Sequence, residues 1–383
     1  MPIDLAVFAG RLQQYREQLE ESQEEVSQST GISINRLRDL EAGAIRPTGD
    51  EVLILADHWR CDFQSLLSEG DSPLDETKIL YRKYGNAFSK KDRRAVQEFL
   101  YFCEIEQFLF KELDQPVQEF KFKPSGRYYK GHGEQAAHAL RTFLGISDQG
   151  RPEVILDVYS TFRSLGVHVF RRKLENSNIS GLFIVHPSAG HCLLVNYDED
   201  VYRQRFTAAH EVAHSIFDAS EEVVVSLSSE RGDLKEIRAN RFASCYLMPP
   251  DILKRLPKNP KLWTQSDAIH WANRFKVSCD ALGVALREAS VVDERTSDRI
   301  RSYRVPLKDK VDPELGSTLS GTGLAKKRRL LERGLSDFYA KRCFEAHYRG
   351  LISTGRLAEV LFSSEKELHD IAPLYGTQLR YGD

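Results

Sequence analysis

His210, Glu211 and His214 stand in the order His-Glu-x-x-His inside a stretch of helical periodicity, residues 202–217. Four residues of α-helix put the two imidazoles on one face, about 6 Å apart along the axis, so both can reach one zinc ion. An ion that activates a nucleophile needs a third protein ligand and an open position, because a closed four-ligand site is structural. The best candidate for that ligand is Glu236, near the start of a second helical stretch, residues 233–247. No histidine follows at the closer metzincin spacing. Glu211, next to the open position, is then placed to take a proton from water attacking a peptide carbonyl and to pass it to the leaving amine. The chemistry indicated is zinc-assisted amide hydrolysis, with Zn2+ as cofactor.

The elements that must hold this site follow from the surrounding pattern. Residues 167–170, 181–185 and 192–196 are short β-branched or apolar runs between Asn, Ser, Pro and Gly, and predict strands of a small sheet. Residues 152–165, 200–218, 233–247, 264–276 and 278–290 have helical periodicity. The fold class expected is mostly α with a small β-sheet (α+β), with a zincin-like metallopeptidase domain over 131–292. The stretch 120–133, rich in Lys, Gly and Tyr, reads as loop, and 293–330 as polar and Gly/Ser-rich. The six cysteines are scattered without a C-x-x-C pair, which argues against a disulfide framework or a zinc ribbon. Cys192 and Cys245 read as buried inert thiols, with an inhibitory thiolate at the zinc as the sharper alternative. His168, His186 and His270 read as structural or surface residues.

With these pieces in view the chain resembles the ImmA/IrrE family of metallopeptidases. The motifs that carry the resemblance are Ile179 to Leu182, Leu194 to Asn196, Arg205 to His214 with Phe217, Glu236 to Ala243 running into Leu247-Met248-Pro249, and Val277-Ser278 followed by Leu282 and Leu286. The resemblance implies that His210, His214 and Glu236 bind zinc and that Glu211 is the general base and acid. It also implies a protein substrate, a specific regulatory protein of the XRE-repressor kind. One departure is Ala213, where many members carry Gly.

The first 70 residues read as a five-helix domain with crisp punctuation. Ser22 and Glu25 form a capping box, Gly31 follows one helix, Ser33 caps the next and Gly43 ends it. The run from Gln23 to Gly43 resembles the core of an XRE-type helix-turn-helix, which implies a second helix in the major groove of double-stranded DNA. In that placement Ser33, Asn35 and Arg36 face bases or phosphates and Gln23 supports a backbone contact, over a core of Val26, Ile32, Leu37 and Leu40. Acidic residues at Glu20, Glu21, Glu24, Glu25, Asp39 and Glu41 favour the competing reading of a protein-interaction module.

Residues 71–130 are expected to be a helical connector and 293–383 a C-terminal helical module, whose last fifty residues, with Tyr348 to Gly350 and Gly355 to Glu359, are similar to the module of fused XRE and ImmA/IrrE-type proteins. The basic run Lys326 to Arg329 reads as a solvated helix face. A formal net charge of −2 gives no bulk attraction to nucleic acid, so DNA contact must be local. The N-terminus lacks the basic flank and apolar core of a signal peptide, and no apolar run reaches membrane-spanning length, so the expectation is a cytoplasmic protein without membrane contact. A homodimer is compatible with this layout. The function expected is an intracellular endopeptidase that cleaves a regulatory protein, or itself, in a stress or phage response coupled to DNA binding. Its rivals are a DNA-binding regulator whose peptidase-like domain is a sensor, and a toxin–antitoxin component.

Overall fold

In the computed structural model the described residues are 3–67, 73–127, 129–146, 154–219, 223–227, 233–316 and 319–379. They form nineteen α-helices and one four-stranded sheet. The domain boundary expected near residue 70 and the first residues of the helix expected from 152 lie outside the described set.

The N-terminal unit consists of α1 (Leu5–Gln18), α2 (Gln23–Thr30), α3 (Ile34–Glu41), α4 (Gly49–Trp59) and α5 (Phe63–Leu67). Ser22 and Thr48 complete capping boxes with Glu25 and Glu51, and Gly31 ends α2 in the left-handed conformation that lets the chain turn into α3. Phe8, Leu12, Val26, Leu37, Leu40, Leu55 and Trp59 fill its core. After α6 (Pro73–Tyr84) comes α7 (Lys90–Glu112), which carries the N-terminal unit. Lys90, Arg93 and Arg94 of α7 pair with Glu25, Glu20 and Glu21 at 2.6, 2.9 and 3.5 Å. Three of the six acids that would repel phosphates are thus directed at α7, while Glu41 is held by Arg16 within the unit and Glu24 lies beside Arg38.

The sheet is built from β1 (His168–Arg172), β2 (Ile179–His186), β3 (Gly190–Asn196) and β4 (Val223–Leu227), in the order β1-β3-β2-β4. β1 runs parallel to β3, and β2 runs antiparallel to both β3 and β4. Strand side chains alternate between two buried faces. Val169, Phe183, Leu193 and Val195 enter one core with α8 (Tyr129–Phe143), α9 (Val158–Arg163), α10 (Val201–Phe217) and α11 (Leu234–Leu247). Phe170, Leu182, Ile184 and Leu194 enter the other, shared with α7 and the C-terminal helices. α6 and α7 together with the helices of residues 321–371 therefore form one layer over the back of the sheet, while Ile300 and Val305 join the core on the other face.

The remaining helices are α12 (Pro250–Leu253), α13 (Gln265–Phe275), α14 (Cys279–Glu288), α15 (Glu294–Ser302), α16 (Gly321–Glu332), α17 (Asp337–Tyr348), α18 (Thr354–Val360) and α19 (Glu365–Ile371). Two stretches that read as loop contain helix. The polar stretch 293–330 holds α15, capped by Asp293 and anchored by fully buried Ile300, and the start of α16. The Gly-containing end of 120–133 opens α8, because Gly133 lets that helix approach α11. A Cβ there would come within 2.4 Å of the Arg238 carbonyl oxygen. Lys327, in the basic run, is also not on a solvated face: it is 1% exposed, paired with Asp337, with Nζ 3.2 Å from the centre of the Tyr375 ring. No helix among the described residues is long and apolar enough to cross a membrane.

Candidate functional site

α10 and α11 pack side by side beneath β2 and β3, and their facing turns bring three donor atoms together. His210 Nε2 and His214 Nε2 are 3.1 Å apart. Glu236 places Oε2 at 3.1 Å from the first and Oε1 at 3.2 Å from the second. Neighbouring ligand atoms of a tetrahedral ion with bonds of about 2.0–2.1 Å are separated by roughly 3.3 Å. The two imidazole nitrogens stand at about that separation, each faces a different oxygen of Glu236, and with one atom from each residue all three lie within 4.8 Å of one another, so the three residues could hold a metal ion.

The opposite ring nitrogens explain why the Nε2 lone pairs point inward. His210 Nδ1 lies 3.1 Å from Asn240 Oδ1, and His214 Nδ1 lies 2.8 Å from Asp218 Oδ2. Both partners are acceptors, so each Nδ1 carries its proton and donates it. Asp218 is in turn held by Arg238, whose Nη2 donates to both carboxylate oxygens at 2.6 and 2.8 Å. The Arg238 guanidinium lies between the Tyr129 and Phe217 rings, 4.5 and 4.2 Å from their centres. Asn240, Asp218 and Arg238 were not singled out from the sequence. The signal available was spacing: Asp218 is one helical turn past His214, and Asn240 one turn past Glu236.

The electrostatics favour a cation at the triangle. Burial works against charge on His214, and the bonds to Asp218 and Glu236 overcome it and lift its pKa to about 9. Burial likewise raises Glu236, and hydrogen bonds with His210 and His214 outweigh it and bring its pKa to about 2. Glu211, one residue along α10, is fully buried, and burial raises its pKa against the pull of the two imidazoles. Among the described residues neither of its carboxylate oxygens makes a hydrogen bond of ordinary geometry, and the neighbouring Ser226 hydroxyl on β4 acts on it only as a weak donor that pulls its pKa down. A buried carboxylate so poorly satisfied is costly to a fold that does not use it.

Gly181 on β2 makes room for that carboxylate. A Cβ at 181 would stand 2.8 Å from Glu211 Oε1 and 2.8 Å from Thr207 Cγ2. Gly181→Ala is therefore expected to displace the Glu211 side chain, so that any peptide hydrolysis that depends on Glu211 falls by about tenfold or more while metal uptake by the donor cluster is unchanged. Activity assays alongside elemental analysis separate the two effects.

Cys192 and Cys245 are buried, and neither joins the donor triangle. Cys192 Sγ donates to the Gly190 carbonyl at 3.5 Å, and burial pushes the Cys245 thiol up to about 12. His168 and His186 are buried against Glu106 and Glu104, and His270 is exposed.

In the N-terminal unit, Ser33 and Asn35 are exposed at the start of α3, with the Ser33 hydroxyl capping the helix. Gln23 is turned inward, donating to Glu41 at 2.8 Å and accepting from Arg38 at 3.3 Å. Arg36, expected at bases or phosphates, donates to both oxygens of Glu51 at 2.7 and 2.9 Å and to the Arg46 carbonyl at 2.8 Å. Glu51 sits at the third position of α4, within reach of the guanidinium, and so ties α3 to α4. The bond with Arg36 holds the Glu51 carboxyl down at about 2. A folded-state pKa below the unfolded one stabilises the fold above the unfolded value, and the gain is lost as pH falls. Arg36→Ala is thus expected to lower protection of α3 and α4 amides at pH 6. The deficit should vanish as pH falls from 4.5 toward 2, and hydrogen exchange on the whole chain measures it.

Residues 162–287 match the family model of the IrrE N-terminal-like domain, and residues 7–67 match that of a helix-turn-helix domain. No curated protein and no solved structure matches the chain. The matched ranges cover the sheet with α10, α11, α13 and α14 on the one hand, and α1 to α5 on the other. The chain is a fusion of a helix-turn-helix domain, which indicates DNA binding, with an IrrE-like domain of the metallopeptidase type.

Proposed function

We propose that this protein is a zinc-dependent endopeptidase that cleaves a specific regulatory protein, of the repressor kind or its own chain, in a pathway coupled to DNA binding. The observation that carries this reading is the fully buried Glu211 carboxylate beside the cluster of His210, His214 and Glu236. His210, His214 and Glu236 are the metal ligands in this reading, and Asn240 and Asp218 fix their orientation. A zinc ion held there supplies Lewis-acid activation of the attacking water and of the scissile carbonyl. Glu211 accepts the proton that water loses as it attacks, and delivers it to the amine nitrogen as the peptide bond breaks. Its raised pKa suits both halves of that exchange, since the carboxylate of a strongly acidic group is a poor base.

The helix-turn-helix domain supports the regulatory substrate. Held on the same DNA, a bound repressor is at raised effective concentration beside the cleft without any new contact surface. The test incubates metal-loaded protein with any helix-turn-helix repressor found encoded next to its gene, with and without DNA, and maps products of partner and chain by mass spectrometry. Cleavage at one or a few bonds, absent from the Glu211→Gln protein, is the expected result. Intact partner and intact chain in every condition would overturn the reading.

A further inference from the structure

One wall of the cleft beside His210 and Glu236 comes from neither α10 nor α11. Beyond α15, residues 303–316 run as a strap back over the N-terminal end of α10. The strap is clamped twice. Lys310 pairs with Asp200, the N-cap of α10, and lies 5.7 Å from the centre of the Tyr202 ring. Further on, Asp312 and Glu314 pair with buried Arg171 of β1, the first at 2.8 Å, and Arg171 also donates to Gln204 of α10 at 3.1 Å. Val305, between α15 and the clamps, is 5% exposed and belongs to the core around α10 and α11. The strap is a fixed wall, and it lies outside the residues matched to the IrrE-like domain.

The cleft encloses about 790 Å³. Of the cations that line it, Lys130 pairs with Glu288, Arg203 with Glu199, Arg241 with Glu134 and Glu288, and Lys310 with Asp200. Arg304 differs. Its side chain is exposed to the cleft, and among the described residues it donates only to the main-chain carbonyls of Arg301 and Tyr303. Asp280, an acid that also lines the cleft, is taken by Arg301 at 2.8 Å. Burial pushes the Cys279 thiol up while Arg304 and Lys310 pull it down, which puts both cations at the same end of the cleft.

We propose that Arg304 is a specificity-determining residue that reads an acidic side chain of the peptide substrate, three or four residues from the bond that is cut. Tyr202 and His210 both line the cleft and are eight residues apart on α10, about 12 Å along the axis. An extended peptide covers that span in three or four residues. A guanidinium with no carboxylate of its own gains a charge-assisted bond from such a side chain, whereas its paired neighbours would have to give one up. The inference rests on the peptidase reading of the same site.

The probe is a positional-scanning set of quenched fluorogenic decapeptides, each made with a C-terminal amide and as the free acid. It is offered to the metal-loaded full chain, with cleavage by the Glu211→Gln protein subtracted. The expected result is a preference for Glu over Gln of about fivefold in kcat/KM at one position three or four residues from the cut. Most of it should lie in KM, and amides and acids should behave alike. Arg304→Ala should bring the ratio to about one, Arg304→Lys should keep most of it, and Arg304→Glu should favour Lys over Glu. An acidic preference that survives Arg304→Glu, or none in the wild type, overturns the proposal. So does a preference confined to free-acid peptides, which would assign Arg304 to a chain terminus. If no peptide is cut in a Glu211-dependent way, the peptidase reading fails on its own. Retention of the same set on metal-loaded Glu211→Gln and Glu211→Gln/Arg304→Glu proteins then decides Arg304, since equal retention of acidic peptides by both would sink it.

Discussion

Glu211→Gln is expected to lower cleavage of the partner protein by about 10²- to 10⁴-fold, the usual contribution of a positioned general base, while the metal remains bound. The residue is isosteric, so His210, His214 and Glu236 keep their triangle. The loss should fall on kcat, because a proton acceptor acts on the transition state and not on peptide binding. Stability should stay the same or rise. Glu211 is fully buried and poorly satisfied, and a neutral amide is less costly to bury than a carboxylate. A variant that is inactive yet as thermostable as the wild type separates catalysis from folding. An inactive protein that has also lost its metal would instead place Glu211 in the ligand set.

Glu236→Ala should remove the metal. With two imidazoles left, the triangle loses its only anionic donor, and the site can no longer offset the charge of a divalent ion. Elemental analysis should fall from about one zinc per chain to near zero. Thermal unfolding reports the same event independently. A ligand bound only to the folded state stabilises it by about 4 kcal/mol at a thousandfold excess over Kd, so added zinc should raise the wild-type Tm by several degrees. The Tm of Glu236→Ala should not respond. Full occupancy in that variant would show that another group completes the site.

The helix pair that brings His210, His214 and Glu236 together was legible because helical geometry is local. A four-residue interval fixes the angle between His210 and His214 whatever lies around them, and the helix containing Glu236 had its own caps and periodicity. The short strands β1, β2 and β3 were legible for the same reason, since alternation and turn residues are near neighbours. β4 was not, although Val223 to Leu227 is a β-branched run, because five residues between polar stretches do not say which sheet edge they join. Gly133 and the polar stretch after residue 293 misled for a related reason. A glycine admits both a loop and a close helix contact, and only the position of α11 decides between them.

What tertiary structure alone decided are the pairings between residues far apart in the chain. Sequence determined that two histidines and a glutamate could meet, but not that Asp218 and Asn240 turn both imidazoles inward or that Arg238 holds Asp218. It determined a helix-turn-helix motif rich in acids, but not that Glu20, Glu21 and Glu25 face α7 or that Arg36 is held by Glu51. It marked 71–130 and the C-terminal residues as separate helical stretches, whereas the structure puts α6, α7 and α16 to α19 on one face of the sheet. A side chain's charge and size are written in its own letter, while its partner is set by which surfaces come together when apolar faces leave water.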